Sequence, residues 1–159
     1  MSFDCGFTRE TKWFRYRAAA IIVEDGCVLL AGNDRDEYFY SVGGGVHVGE
    51  TAEAAVVREV WEETGVSYAV DRLAVIHENF FSGTGIIDKL DCHEISFYFL
   101  MKPRGNRKVN CQSTTADGVA EHMHWILISD LDKYHAYPVW LKEYLQSPAQ
   151  GIAHIVTRE

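Results

Sequence analysis

The sequence predicts a compact α/β domain. Short runs rich in β-branched and aromatic residues are mixed with two helical stretches, and one of these, Thr51 to Thr64, carries its own start and stop signals. The composition, 47% apolar and 24% charged, is that of a folded globular chain. At 159 residues the chain has ordinary single-domain size, and no repeat or low-complexity linker divides it, so residues 1–159 are read as one domain.

Taken in order, Arg17 to Val23 is an apolar, β-rich run, Glu24-Asp25-Gly26 is turn chemistry, and Cys27 to Ala31 resumes the run. Together they read as a hairpin. Tyr38 to Val42 is a short strand that ends in Gly43-Gly44-Gly45, read as a glycine-rich loop leading to Gly49-Glu50-Thr51. Thr51 or a neighbour caps the helix, and Gly65 stops it. At about 100° per residue, Val56, Val57 and Val60 share a core side, while Ala52, Ala55, Glu59, Glu62 and Glu63 share a carboxylate side. Leu73 to Ile76 with Phe80-Phe81, Glu94 to Met101 and Met123 to Ile128 are further strands. Ser82 to Asp91 and Pro103 to Gly118 read as loops. Leu131 to Leu145 reads as a helix interrupted near Pro138, and Ile152 to Val156 as a closing strand.

The net charge of -8 repels polyanions, which makes nucleic acid an unlikely main partner. A small phosphate-bearing molecule is compatible with it, because a bound divalent cation reverses the local field at a carboxylate site. The four cysteines, Cys5, Cys27, Cys92 and Cys111, have no C-x-x-C pair and read as free thiols of a reducing cytosol. No apolar stretch suits a membrane span or a secretory signal, and a cytoplasmic protein is expected.

The segment Gly44 to Val66, GGVHVGETAEAAVVREVWEETGV, resembles the Nudix box, G-x5-E-x7-R-E-U-x-E-E-x-G-U with U aliphatic. Gly44, Glu50, Arg58, Glu59, Val60, Glu62, Glu63, Gly65 and Val66 all match. Background residue usage gives the invariant matches a chance probability on the order of 10⁻⁸ to 10⁻⁹. Outside the box the likeness extends only to the order of elements, and Val42 stands where many members have proline. The resemblance implies an α/β/α sandwich around a mixed β-sheet and metal-dependent hydrolysis of a diphosphate linkage in a nucleoside diphosphate-type molecule. Mg²⁺ is the implied cofactor, with Mn²⁺ able to substitute.

The residues point the same way by themselves. Glu59, Glu62 and Glu63 at i, i+3 and i+4 project from one patch of helix, and hard oxygen donors with room for phosphate suit Mg²⁺. Ala52 and Ala55 on that side would leave the room. Glycine backbone freedom makes a carbonyl of Gly43 or Gly44 a further ligand, with Gly44, Gly45 and Arg17 as substrate contacts. Glu59 and Glu63 are the first metal ligands, Glu62 a third, Arg58 an organiser of the carboxylates, and Glu50 structural or a holder of a further metal. A fourth carboxylate outside the box is expected from Glu121, ahead of the Trp125 strand, in preference to Glu94, and is a candidate base.

Other constellations read as ordinary structure. Cys92-His93-Glu94 and His122-Met123-His124 lack a third ligand at zinc spacing. Trp61, opposite the carboxylates, reads as packing, and Phe80, Phe81 and Tyr16 as core. Arg9, Lys12, Arg15 and Arg17 form a basic stretch entering the first strand, each read singly as a solvated strand edge, with alternate members able to point toward a bound phosphate. A ligand-sensing module is the rival from another class, disfavoured by the complete carboxylate set; an RNA-end hydrolase is disfavoured by the acidic charge. The ADP-ribose marker, a proline sixteen residues after the box's second glycine, falls on Phe81, so the substrate stays open, as does a homodimer.

Overall fold

The segment Ala18 to Ile22 is buried throughout, and its side chains alternate between two cores, as successive residues of a strand must. Ala18, Ala20 and Ile22 meet Ala55, Val56 and Val60, whereas Ala19 and Ile21 meet Trp140, Leu141 and Tyr144. A β layer therefore lies between two helical layers, the α/β/α sandwich that the resemblance implies.

A computed structural model describes residues 2–159. Its strands are β1 (Gly6–Arg9), β2 (Lys12–Ile21), β3 (Val23–Glu24), β4 (Cys27–Asn33), β5 (Phe39–Ser41) and β6 (Gly43–Gly45), followed by helix α1 (Ala52–Thr64). Then come β7 (Val70–Ser82), β8 (Asp91–Met101), β9 (Glu121–Leu127), β10 (Ala136–Tyr137), helix α2 (Leu141–Gln146) and β11 (Ala153–Arg158). One sheet has the order β1-β2-β8-β7-β11 with β6 also on β2; the other has β10-β5-β4-β3 with β9 on β4. Both are mixed: β2 runs parallel to β8 and β11 to β7, while β7 pairs antiparallel with β8 and β4 with β9.

The hairpin turn is present, with Asp25 and Gly26 both at positive φ, a pairing that suits a tight two-residue turn. Its arms are shorter than the sequence suggests. The chain leaves the first sheet at Ile22, so β2 and β4 belong to different sheets, and only Val23-Glu24 pairs back on β4. The glycine run is a strand and not a loop, pairing antiparallel with Arg17 to Ala19. β1 is unforeseen: its Phe7-Thr8 alternation is brief, and pairing with β2 supplies the order that local pattern does not. The late helix shrinks to α2, because Pro138 offers no N–H and a 3₁₀ turn at Ile128–Lys133 and β10 occupy the segment before it.

Helix α1 begins where Thr51 Oγ1 accepts from the Ala54 N–H at 3.1 Å and ends at Gly65, left-handed at φ 72°. Its buried face is Ala52, Ala55, Val56, Val60, Glu63 and Thr64. This corrects the expected division into a valine side and a carboxylate side. Val57 and Trp61 face solvent, at 38% and 58% exposure, so Trp61 is not packing, and Ala52 and Ala55 fill the core instead of leaving space for a phosphate. Each fully buried valine here is worth roughly 1.5–3 kcal/mol of transfer free energy, enough to hold Glu63 inward with the apolar face.

Candidate active site

The three helix glutamates, alike in sequence, sit in different surroundings. Glu63 is 8% exposed and accepts the Gly43 N–H at 2.8 Å. Glu59 is mostly buried, with Oε1 accepting from Arg58 at 2.6 Å, and Glu62 is half-exposed at the rim, 3.2 Å from the same guanidinium. Arg58 grips Glu50 with two bonds of 2.9 Å and also donates to the Gly45 carbonyl at 3.1 Å. One guanidinium thus ties α1 to the glycine strand and to the turn before the helix. The bond from Arg58 is the largest influence on Glu50 and lowers its carboxyl to about 2. Glu50 also accepts the His47 N–H, which ties the turn before α1 to the same guanidinium cluster.

Strand β6 explains the glycines. Ala20 N–H donates to Val42 and Val46 N–H to Tyr16, so by antiparallel alternation Gly44 also faces the β2 ladder, and Gly43 and Gly45 turn their polar groups away from it. Gly43 gives its N–H to Glu63 and Gly45 its carbonyl to Arg58, which leaves the Gly43 carbonyl as the backbone oxygen on the Glu63 side. None of the three has a left-handed backbone, so the conformational freedom of glycine is not what this strand uses. The requirement is close approach: a Cβ at Gly44 would lie 2.5 Å from the Glu59 carboxyl carbon, and one at Gly43 would collide with the backbone of Ala18. Gly45 is similarly close to Asp4, whose carboxylate would meet a side chain there.

Glu121, first residue of β9, arrives from the second sheet. Its Oε2 accepts from the Tyr40 hydroxyl and its Oε1 from Ser113 at 3.0 Å. It lies close enough to act electrostatically on Glu63. Burial chiefly, and then the charges of Glu121 and Glu59, push the Glu63 carboxyl well above its ordinary range. Burial also raises Glu59, against the pull of Arg58. Three carboxylates therefore crowd one junction of α1, β6 and β9. Tyr40 was not read from the sequence, where Tyr38-Phe39-Tyr40 shows only β propensity; strand pairing decides which ring turns inward.

Glu94, the rival fourth carboxylate, faces the other side of the sheet. It accepts from Arg15 at 2.8 Å and from Ser96 at 3.1 Å, and despite burial the charges of Arg15 and Arg17 hold its pKa below the usual value. Arg17 differs from its expected part as a substrate contact. It is 8% exposed, and its guanidinium donates to the Ser41 carbonyl at 2.8 Å and to the Tyr98 hydroxyl at 3.4 Å. Burial opposes its charge, but Tyr98, Glu94 and Glu63 outweigh that and raise its pKa. It is a buried countercharge between the two acidic sites.

Among the described residues, no three His, Cys, Asp or Glu side chains already converge at metal-ligating distance, and each carboxylate is held by a protein donor. The chemistry of the set nonetheless fits a hard cation. Its donors are all oxygens, and the excess negative charge on partly buried groups is relieved either by protons or by a divalent ion.

The remaining candidates fall elsewhere. His122 and His124 contact each other at 2.5 Å with Asp34 3.4 Å from His122, on the opposite face of β9 from Glu121. Phe80 stacks on His93 at 4.4 Å under Arg158, and Phe81 meets Trp13 edge-on. Both line a surface pocket of about 560 Å³ at the start of β2 and are not fully in the core. Tyr16 packs edge-on to Phe97 against the α1 core. The four cysteines are free thiols, and no helix among the described residues is long and apolar enough to cross a membrane.

Comparison with known proteins agrees with this architecture. The NUDIX domain model matches residues 13–147. A MutT-like protein of Streptomyces ambofaciens is 34% identical over 113 residues, covering 67% of this chain and 66% of the relative, so the likeness spans just under two-thirds of that protein's length. Among solved structures, a mutator MutT protein of Bacillus halodurans superposes with a TM-score of 0.66 at 18% identity, over 91% of this chain and 90% of its own. An ADP-ribose pyrophosphatase of Streptococcus suis superposes with a TM-score of 0.57 at 13% identity, over 90% of this chain and 98% of its own. At such identities the structures speak for the fold alone.

Proposed function

The chain belongs to the NUDIX domain family, and on that footing we propose that it is a divalent-metal-dependent hydrolase of a diphosphate linkage in a nucleoside diphosphate derivative. One observation carries the reading: Glu63 of α1, buried and accepting the Gly43 N–H, lies within electrostatic reach of both Glu59 on its own helix and Glu121 on β9, with only Arg17 as a facing cation. Glu59, Glu63 and the Gly43 carbonyl would hold Mg²⁺, or Mn²⁺ in its place, with Glu62 reaching in from the rim. A bound ion would supply neutralisation of the diphosphate charge and acidification of water.

The protein's own groups have distinct tasks in this reading. Arg58 keeps Glu59 and Glu62 facing the junction and anchors the glycine strand under them. Glu121 takes the proton of the attacking water. The favoured base is Glu121 because it neighbours Glu63, whereas Glu94 is engaged by Arg15 on the far face. Gly44 leaves space for Glu59. The substrate is a small molecule, for the surface as a whole is acidic at -8. Phe81 occupies the place of the ADP-ribose marker, which moves nucleoside triphosphates and nucleotide sugars ahead of ADP-ribose as first compounds to try.

A hydrolysis screen of nucleoside triphosphates, nucleotide sugars and non-nucleotide diphosphates, reading phosphate and pyrophosphate release, tests the proposal. At least one compound is expected to be cleaved with Mg²⁺ or Mn²⁺ and none without. Full activity in excess EDTA would overturn metal dependence, and silence across all three classes would overturn the hydrolase reading.

A further inference from the structure

The carboxylate that comes from outside the helix has an unusual amount of support. Glu121 is the first residue of β9, just beyond the long segment from Pro103 to Ala120, and a glutamate at such a position ordinarily samples several rotamers. Here both oxygens are engaged, Oε2 by the Tyr40 hydroxyl and Oε1 by Ser113 at 3.0 Å. Its backbone is fixed as well, since the Glu121 N–H donates to the Ser113 carbonyl at 3.0 Å and the Cys111 thiol donates to the Glu121 carbonyl at 3.2 Å.

Tyr40 is itself held from behind. Asn33 Nδ2 donates to the phenol oxygen at 3.4 Å, and Asn33 Oδ1 accepts the N–H groups of Arg35 at 2.9 Å and Asp36 at 2.7 Å, so the amide cannot turn freely. With Asn33 as its donor, the phenol has its own proton to give to Glu121. The register makes this one unit: Asn33 pairs with Glu121 and Ala31 with both Met123 and Tyr40, so all three polar side chains rise from the same face of β4, β5 and β9. The strand that carries Tyr40 leads directly through Val42 into Gly43, whose N–H holds Glu63.

Building on the reading of Glu121 as the carboxylate opposite the helix glutamates, we propose that Tyr40 is a positioning residue that fixes Glu121 beside Glu63. Ser113 is the second anchor and Asn33 the brace. Because Tyr40 and Gly43 share one short segment, the outer carboxylate and the glycine strand are tied to each other, and Glu121 needs little further ordering when a cation draws the carboxylates together. Preorganisation of this kind raises affinity by removing the cost of ordering side chains on binding.

The test uses Mn²⁺ alone as the probe, its binding to the whole protein followed by loss of the free-ion electron paramagnetic resonance signal, with thermal melting in EDTA measured beside it. Tyr40→Phe removes one oxygen and keeps the ring, so melting should change little while Mn²⁺ affinity falls about tenfold. Ser113→Ala should fall less, about threefold, because the stronger anchor remains. The pair Tyr40→Phe with Ser113→Ala should approach Glu121→Gln, and adding Tyr40→Phe to Glu121→Gln should weaken binding no further. Wild-type affinity in Tyr40→Phe beside a weakened Glu121→Gln overturns the role of Tyr40 and leaves Glu121 in place. Wild-type affinity in Glu121→Gln overturns a part for Glu121 in the cation site, and the positioning role with it, while its part as base is decided separately by the kcat of Glu121→Gln. Additive losses in Tyr40→Phe with Glu121→Gln overturn action through Glu121. If Tyr40→Phe also lowers melting, the Ser113→Ala arm decides: unchanged Mn²⁺ affinity there overturns the two-anchor arrangement.

Discussion

Glu63 on α1 and Glu94 on β8 are equally buried, each 8% exposed, yet their acidities move in opposite directions. Glu94 looks at Arg15 and Arg17 and accepts from Ser96; Glu63 looks at Glu59 and Glu121, with one backbone N–H and the charge of Arg17 in partial compensation. Burial taxes the charged form of both. Which groups share the burial decides the sign: a carboxylate closed off with cations is a structural ion pair, and one closed off with other carboxylates is a place that favours a proton or a metal.

The strongest way to break that contrast is Glu63→Gln. It is expected to lower kcat by about 10²-fold or more against whichever diphosphate compound is cleaved, through loss of charge stabilisation in the transition state. Melting in EDTA should hold or rise, since an uncompensated buried acid has been removed. Mg²⁺ should stabilise the wild-type protein by about 2.7 kcal/mol at a hundredfold excess over its Kd, and the variant far less. A wild-type rate in Glu63→Gln, measured beside unchanged melting, would remove the proposed site.

Glu94→Gln should do the reverse. Leaving Arg15 without its partner is expected to cost roughly 1–2 kcal/mol in urea unfolding, less than a fully buried pair because the Arg15 side chain is 35% exposed. The kcat should stay within a few-fold of wild type. An activity loss as large as that of Glu63→Gln, with unaltered stability, would place catalysis on the wrong face of the sheet.

Gly44→Ala probes the crowding without touching a charge. The new methyl would force Glu59 to shift, because the carboxyl is a flexible end and the backbone is not, so activity is expected to fall about tenfold and stability to change by about 1 kcal/mol or less. Unchanged kinetics would mean that the location of Glu59 is not critical.

The smallest effect is in the pH dependence of stability without metal. The Glu94 pKa is depressed in the folded protein, so its contribution is present above the unfolded value near 4.5 and is lost as pH falls through the lower folded value. The Glu63 pKa is raised, so its contribution is fullest below 4.5 and is lost as pH climbs toward the folded value. In EDTA, Glu63→Gln should therefore flatten the decline in unfolding free energy above pH 4.5, and Glu94→Gln should flatten the decline below it. Identical profiles for the two variants would mean that their surroundings do not differ as described.

The motif from Gly44 to Val66, the helix limits at Thr51 and Gly65, the turn at Asp25-Gly26 and most of the strands were legible in the sequence. Each is a local property: a cap, a breaker, a run of β-branched residues or a fixed spacing along the chain. Local pattern also misled where two readings share one spacing. Trp61 and Val57 could be core until the sheet occupied the other side of α1, and three glycines in a row could be a loop until β2 supplied a partner. Arg17 carries the same charge on a strand edge or inside the sandwich, and only packing distinguishes a phosphate contact from a buried countercharge. Tyr40, Ser113 and Asn33 had no signal at all, since their common face arises from pairing among strands distant in the chain. The sequence by itself determined which chemical groups are present and which helix carries them, because those follow from spacing along one chain. The tertiary structure alone decided which carboxylates face one another and which face arginine, because electrostatic character inside a protein depends on distances between segments that the linear order does not contain.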